Sequence, residues 1–366
     1  MEKLVMDELF GQIYKNRKVL ITGHTGFKGS WLALWLSRMG AEVVGYALEA
    51  CTCPSHFELV DANYKSIIGD IRDADKFRNV IAKEQPEIIF HLAAQPLVRR
   101  SYQDPVETFS TNVMGTVNLL DSCREVSSLK AVVVITSDKC YENLEQQRGY
   151  SESDPLGGYD PYSASKGCTE IVTSSYRRSF FSLKDYGTKH NVLVSSARAG
   201  NVIGGGDWSE DRLIPDIVKA ANENDKVLIR NRYSTRPWQH VLDPLSGYLL
   251  LGEKLLEGKV EFAEAWNFGP EMEVSFTVEY VVENLQKYWD KIEVDFGSES
   301  SGPHEANLLT LDCSKAIQKL GWKPVWDISR TLEMTASWYK RFYELGEVVS
   351  SQQLSEYVKD ALGGKL

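Results

Sequence analysis

Through residue 200, short apolar runs alternate with amphipathic stretches. Residues 18–23 (KVLITG) form a β-branched run ending in glycine and predict a buried strand. Apolar residues then recur at helical spacing over 31–39, so strand, turn and helix follow one another. Further apolar runs at 42–48, 66–71, 86–94 (PEIIFHLAA), 130–137 (KAVVVITS) and 191–197 predict strands. Helices are predicted between them over 74–83, around 106–126, and from near Tyr162. This alternation predicts an α/β fold, a Rossmann-type doubly wound parallel sheet with its ligand crevice at the carboxyl ends of the strands. After Gly200 the pattern changes: Gly204-Gly205-Gly206 and Pro215 punctuate the chain, and later elements are shorter and less regular. A Rossmann domain is therefore expected over 1–200, and a smaller mixed α/β lobe for substrate mainly over 201–366. The last residues read as a helical tail.

Composition narrows the classes. A net charge of −10 argues against a nucleic-acid partner, so an anionic substrate must be held by a few local basic residues. The six cysteines, Cys51, Cys53, Cys123, Cys140, Cys168 and Cys313, are sparse for a disulfide framework. No CxxC or His-rich motif accompanies them, and no metal is expected. Residues 1–18 are polar and mixed in charge, unlike a signal peptide. No apolar run approaches the ~20 residues of a membrane helix. A reducing cytoplasm, away from any membrane, is the expectation.

Two motifs carry candidate chemistry. Gly23-His24-Thr25-Gly26-Phe27-Lys28-Gly29 is a GxxGxxG turn between the first strand and its helix. Glycines let backbone approach a pyrophosphate, and a helix N-terminus offers amide donors. Such turns also occur without ligands; the strand before and helix after favour a dinucleotide. His24 is expected near that pyrophosphate, loosening cofactor binding, and Lys28 either contacts phosphate or is solvated. The acid normally found at the end of the second strand is missing from Gly45-Tyr46-Ala47-Leu48, with Glu49 slightly late. Asp70, after the third strand, is either an adenine contact or a solvated turn residue. In the second motif, Tyr162-Ser163-Ala164-Ser165-Lys166, the Tyr and Lys share one helical face. A lysine cation there lowers the phenol's pKa, and the phenolate can take a hydroxyl proton as hydride leaves carbon.

Together with Leu92-Ala93-Ala94 and the strand-end Ser137, these motifs resemble the extended short-chain dehydrogenase/reductases. GHTGFKGSWL (23–32), AAQPLVRRSY (93–102), TSDKCYEN (136–143), GGYDPYSASKG (157–167), RAGNVIGGGDW (198–208), DRLIPD (211–216) and RPWQHVLDPLSGY (236–248) are similar, more narrowly, to the CDP-D-glucose 4,6-dehydratases. The resemblance implies bound NAD, contacted by the glycine turn, Asp70, Ile71, Leu92, Ala93, Ala94, Tyr162 and Lys166. It also implies that Ser137 and Tyr162 meet the sugar C4 hydroxyl, with Asp138 and Lys139 completing the catalytic set. Many sugar-nucleotide dehydratases carry Asp-Glu at those two positions, so Lys139 is a departure. A homodimer or homotetramer is implied, paired through helices over 106–126 and 162–181. Trp31, Trp35 and Phe90 read as core.

In the second lobe, Asn201, Arg212 and Arg236 lie in loop-like stretches where guanidinium groups suit a diphosphate, or else form surface ion pairs. Gln95 and His304 complete the candidate substrate set, although a structural role suits His304 equally well. The reaction implied by the resemblance converts CDP-D-glucose to CDP-4-keto-6-deoxy-D-glucose, a precursor of bacterial surface deoxyhexoses. A UDP-hexose 4-epimerase, a GDP-mannose 4,6-dehydratase and a non-catalytic NAD-sensing protein remain the alternatives. Intact Ser137, Tyr162 and Lys166 disfavour the last.

Overall fold

The computed structural model describes residues 9–229, 231–270, 276–297 and 308–363. The elements that carry the site are β1 (Lys18–Thr22), α1 (Phe27–Arg38), β2 (Glu42–Ala47), β3 (Lys65–Ile68), α2 (Ala74–Glu84), β4 (Ile88–His91), β5 (Ala131–Ile135), α3 (Pro161–Ser179), β6 (Leu193–Ala199), α4 (Leu242–Leu256), β7 (Ala265–Phe268), α5 (Ile328–Leu345) and α6 (Ser350–Ala361). The seven strands form one parallel sheet in the order β7-β6-β5-β4-β1-β2-β3. Strand order reverses between β1 and β4, which opens a crevice at their carboxyl ends.

Period-two alternation assigns each strand residue to one of two cores. Val19, Ile21, Ile88, Phe90 and Val133 pack on one face with Trp31 and Trp35; Leu20, Ile89 and Val132 pack on the other with Phe77 and Leu119. Both faces are covered, so near-continuous apolar runs were legible as strands.

Three expectations need correction. The third strand stops at Ile68 rather than 71, because Gly69 begins a turn that Asp73 closes by capping α2 at Lys76 N. The helix around 106–126 is not one regular helix. It runs Pro105–Phe109, a π turn at Ser110–Met114, then Gly115–Ser122. The wider turn brings Asn112 inward, where its amide donates to Gln95 O (3.1 Å) and Ser165 Oγ (2.8 Å). Nor does the sheet end with residue 200. Edge strand β7 pairs with β6, and α4 lies against the sheet, so the chain returns to the first layer after leaving it.

The tail is helical as expected. It docks through Tyr357, which is edge-on to Trp35 at 5.6 Å and donates to Asp243 Oδ1 at 2.8 Å.

Candidate active site

The crevice begins at the glycine turn. Gly26 caps α1 without a side-chain acceptor, and no acid stands in the first helical turn, so the amide end of α1 stays open for an anion. A Cβ at Gly29 would overlap the Gly23 carbonyl, so only glycine lets α1 close onto β1 here. Ala93, after β4, donates its amide to Thr22 Oγ1 at 3.2 Å and so faces the turn from the other side. This arrangement suits a dinucleotide pyrophosphate. Leu92 and Ala94 flank Ala93, half-buried, along the same wall.

The side chain of His24 does not enter this cradle. It is fully buried, fills the slot left by Gly45, stands edge-on to Phe57 and Tyr64, and pairs with Ser66 Oγ at 2.7 Å. Burial pulls its pKa down to about 4, so it is neutral packing. The expectation that His24 crowds the pyrophosphate is therefore corrected. Phe27 likewise packs into the core and offers the cradle only backbone. Asp70 lies in the turn two residues after the third strand, and both its carboxylate oxygens are taken by the Arg72 guanidinium at 2.6–3.0 Å. Arg72 holds its pKa below the usual range. Ile71 is buried in the core beside it. Glu49 is exposed.

At the end of β5 the chain turns through Ser137, Asp138 and Lys139. Ser137 caps a short 3-10 turn, accepts Lys139 N at 3.2 Å, and donates to Asp138 Oδ1 at 2.8 Å. Asp138 is 2% exposed, and burial raises its pKa despite Lys139, Ser137 and Lys28. Opposite stands α3, started by Asp160 as N-cap and Pro161 at its first position. It presents Tyr162 and Lys166, 9% and 6% exposed. Burial pushes the phenol up to about 12, against the pull of Ser137 and Arg212. In this pocket desolvation is the largest influence on the phenol, and the groups that oppose it are Ser137 and Arg212. Lys166 itself, buried beside Ile135 O at 3.5 Å, is lowered to about 8.

Lys28 is half-buried rather than a fully solvated lysine. Its Nζ lies 6.0 Å from the Tyr248 ring centre, and burial, Arg212 and Lys166 lower its pKa to about 7 against the pull of Asp138. It therefore lies within electrostatic reach of Asp138, Lys166 and Arg212. Arg212 in turn is anchored to Asp207 Oδ2 at 2.8 Å. Asn201 follows β6, its carbonyl accepting Gln239 N at 3.2 Å. Arg236 lies in a short strand paired with 276–277 and donates to Thr235 O at 2.9 Å. Gln95 is a correction. Its carboxamide is consumed by Leu97 N, Leu97 O and Thr108 Oγ1 at 2.6–3.1 Å, so it braces the loop rather than meeting substrate. His304 lies outside the described residues.

Tyr248 escaped the sequence reading: its hydroxyl is buried with no hydrogen-bond partner among the described residues, and its pKa is raised by burial and by Asp138 and Tyr162. It closes the stretch 236–248, but nothing in that stretch shows that α4 meets the site, which only the fold reveals. Buried Glu170 and Arg198 also went unread; the signals were a carboxylate one helical turn beyond Lys166 and a charge inside the apolar run of β6.

Comparison with known proteins identifies the family. The family model described as GDP-mannose 4,6 dehydratase matches residues 20–335. The CDP-glucose 4,6-dehydratase of Salmonella typhimurium is 53% identical over 350 residues, covering 94% of this chain and 97% of the relative. The UDP-glucose 4-epimerase of Rhizobium meliloti is 27% identical, covering 89% and 98%. In fold, the dTDP-glucose 4,6-dehydratase of Streptomyces venezuelae, solved with NAD and TYD bound, superimposes with a TM-score of 0.73 at 24% identity over 88% and 97% of the two chains. A single family thus accounts for the crevice and for nearly the whole chain, which belongs to the GDP-mannose 4,6 dehydratase family.

Proposed function

We propose that this protein is an NAD-dependent hydro-lyase, a CDP-D-glucose 4,6-dehydratase that releases CDP-4-keto-6-deoxy-D-glucose and water. The observation that carries the reading is the juxtaposition of Ser137, Asp138 and Lys139 with Tyr162 and Lys166 at one crevice, in a chain 53% identical to a CDP-glucose 4,6-dehydratase. An epimerase needs the Tyr and Lys but no proton transfer at C5 and C6. The open amide end of α1 and the close approach at Gly29 and Ala93 suit NAD, which when bound accepts hydride from C4 and returns it at C6.

The chain's own groups move the protons. Tyr162 takes the C4 hydroxyl proton, with Ser137 bonded to the same oxygen. The 4-ketone acidifies C5–H, and Lys139 removes that proton and returns one to C5 as hydride reaches C6. Asp138 keeps its proton more readily than an ordinary carboxyl because it is buried, which equips it to protonate the departing C6 hydroxyl. Lys166 stands beside Tyr162 for the ribose, and Arg212 with Arg236 serves the diphosphate. The product class is a precursor of bacterial surface deoxyhexoses. The CDP-paratose 2-epimerase of Salmonella typhi, 25% identical over 84% of this chain, is consistent with that setting.

A homodimer or homotetramer follows the same reading, with Val106, Met114 and Ile171 exposed on the adjacent helical stretches expected to pair. Among the described residues no helix is long and apolar enough to cross a membrane.

The test is incubation with CDP-, dTDP- and UDP-glucose and GDP-mannose, reading 4-keto product. CDP-D-glucose should be turned over best, and a C4 epimer as product would overturn the dehydratase reading. Lys139→Met should still oxidise C4, seen as accumulating NADH absorbance, but lose deuterium uptake at C5 from heavy water. Normal exchange there would remove Lys139 from the role of base.

A further inference from the structure

Directly beneath the catalytic turn lies an ion pair that the mechanism does not use. Glu170 stands one helical turn beyond Lys166 on α3, and Arg198 stands on β6; their side chains are 2% and 4% exposed and 2.8 Å apart. Removing two charges from water is costly unless each is fully bonded. Here the carboxylate accepts from Thr136 Oγ1 at 2.5 Å, Ser196 Oγ at 2.7 Å and Arg198 Nη2 at 2.8 Å. The guanidinium donates from its Nη atoms to Glu170 and to the Tyr141 hydroxyl at 2.7 Å and lies 4.9 Å from that ring's centre, while its Nε has no hydrogen-bond partner among the described residues. Tyr141 in turn donates to Asn267 Oδ1 on β7 at 2.7 Å.

The positions of these partners matter more than their number. Thr136 immediately precedes Ser137, and Tyr141 follows Lys139 by two residues. One end of the segment is tied to Glu170, the other to Arg198, and the two anchors are tied to each other. A stretch outside any strand, carrying three reacting side chains, is thereby fixed to the helix that carries the other two.

We propose that the buried Glu170–Arg198 pair is a positioning clamp that holds both ends of segment 136–141, and with it Ser137, Asp138 and Lys139, in register with Tyr162 and Lys166. The inference rests on the dehydratase reading for its choice of substrate. Neither residue touches substrate; both act through the turn. A loosened turn displaces the reacting groups, and a displacement of about 1 Å costs on the order of 100-fold in rate. Burial lowers the pKa of Lys166, and Glu170 is among the groups that oppose that shift, so its charge has a second, electrostatic effect.

The test uses the full-length holoenzyme and Glu170→Gln, Glu170→Asp, Thr136→Val and Tyr141→Phe. Glu170→Gln should lose about 100-fold in kcat with little change in KM for CDP-D-glucose, and its alkaline pH limb should move to lower pH as Lys166 loses its anionic neighbour. Glu170→Asp, which keeps the charge, should recover part of both. Thr136→Val and Tyr141→Phe each cut one tie without stranding a charge, and should speed hydrogen exchange at the amides of 136–141 while lowering kcat. If Glu170→Gln does not fold, these two single-tie variants decide the matter. Wild-type kcat and exchange in both, or an unshifted pH limb and normal kcat in a folded Glu170→Gln, would overturn the clamp. Failure of the wild type to convert CDP-D-glucose would count against the dehydratase reading alone, because the exchange measurement still judges the clamp.

Discussion

His24 shows how a residue in a functional motif can serve the fold instead. A side chain within a glycine turn reads as an obstacle to a pyrophosphate, and replacing it with glycine would then tighten the cofactor. Its actual surroundings reverse that expectation. The ring fills the space over Gly45 and bonds Ser66 on β3, so it joins the glycine turn to the second and third strands. His24→Gly should leave a cavity and destabilise the protein by about 2–4 kcal/mol, the range for large-to-small core changes. Chemical denaturation monitored by tryptophan fluorescence measures this directly; unchanged stability would show that the ring is not packed as described. Which way the ring turns depends on residues 21 and 42 positions away, and for that reason the motif alone could not reveal it.

Among the elements, α6 ties its stability to pH through one buried carboxyl. Asp243, in the first turn of α4, accepts from Val325 N at 2.7 Å and from the Tyr357 hydroxyl of α6 at 2.8 Å. Its other oxygen has no partner among the described residues, and burial raises its pKa to about 7. The sign follows from linkage. The folded state holds this proton more tightly than the unfolded chain, whose aspartate titrates near ~3.9. The contribution is therefore complete below that value and is lost as pH rises towards about 7. Asparagine can keep both acceptor contacts through Oδ1. Asp243→Asn should accordingly remain folded and, relative to wild type, gain in melting temperature as pH is raised from 4 to 7. Parallel curves for the two proteins across that interval would refute the assignment.

For the whole molecule, what could be read in advance was whatever is local. Strands buried on both faces leave continuous apolar runs, and the Gly23–Gly29 turn and Tyr162–Lys166 spacing are properties of single segments. Tertiary features were hidden. Gln95 looks like a ligand in its motif, yet Leu97 and Thr108 consume its amide; Tyr248, 111 positions beyond Ser137, reaches the candidate site from another helix. The division at residue 200 failed to anticipate that β7 comes back to the sheet. That return has a consequence for how the protein is made. A chain growing on the ribosome exposes β6 as a bare edge, with unpaired amides and carbonyls, until residues 265–268 emerge to cover it. Synthesis thus passes through an interval in which most of the sheet exists and its newest border is adhesive. Ribosome-stalled nascent chains ending just before β7 should recruit holdase chaperones more strongly than chains extended far enough to free it, and equal recruitment by the two would argue that another part of the chain shields β6 first.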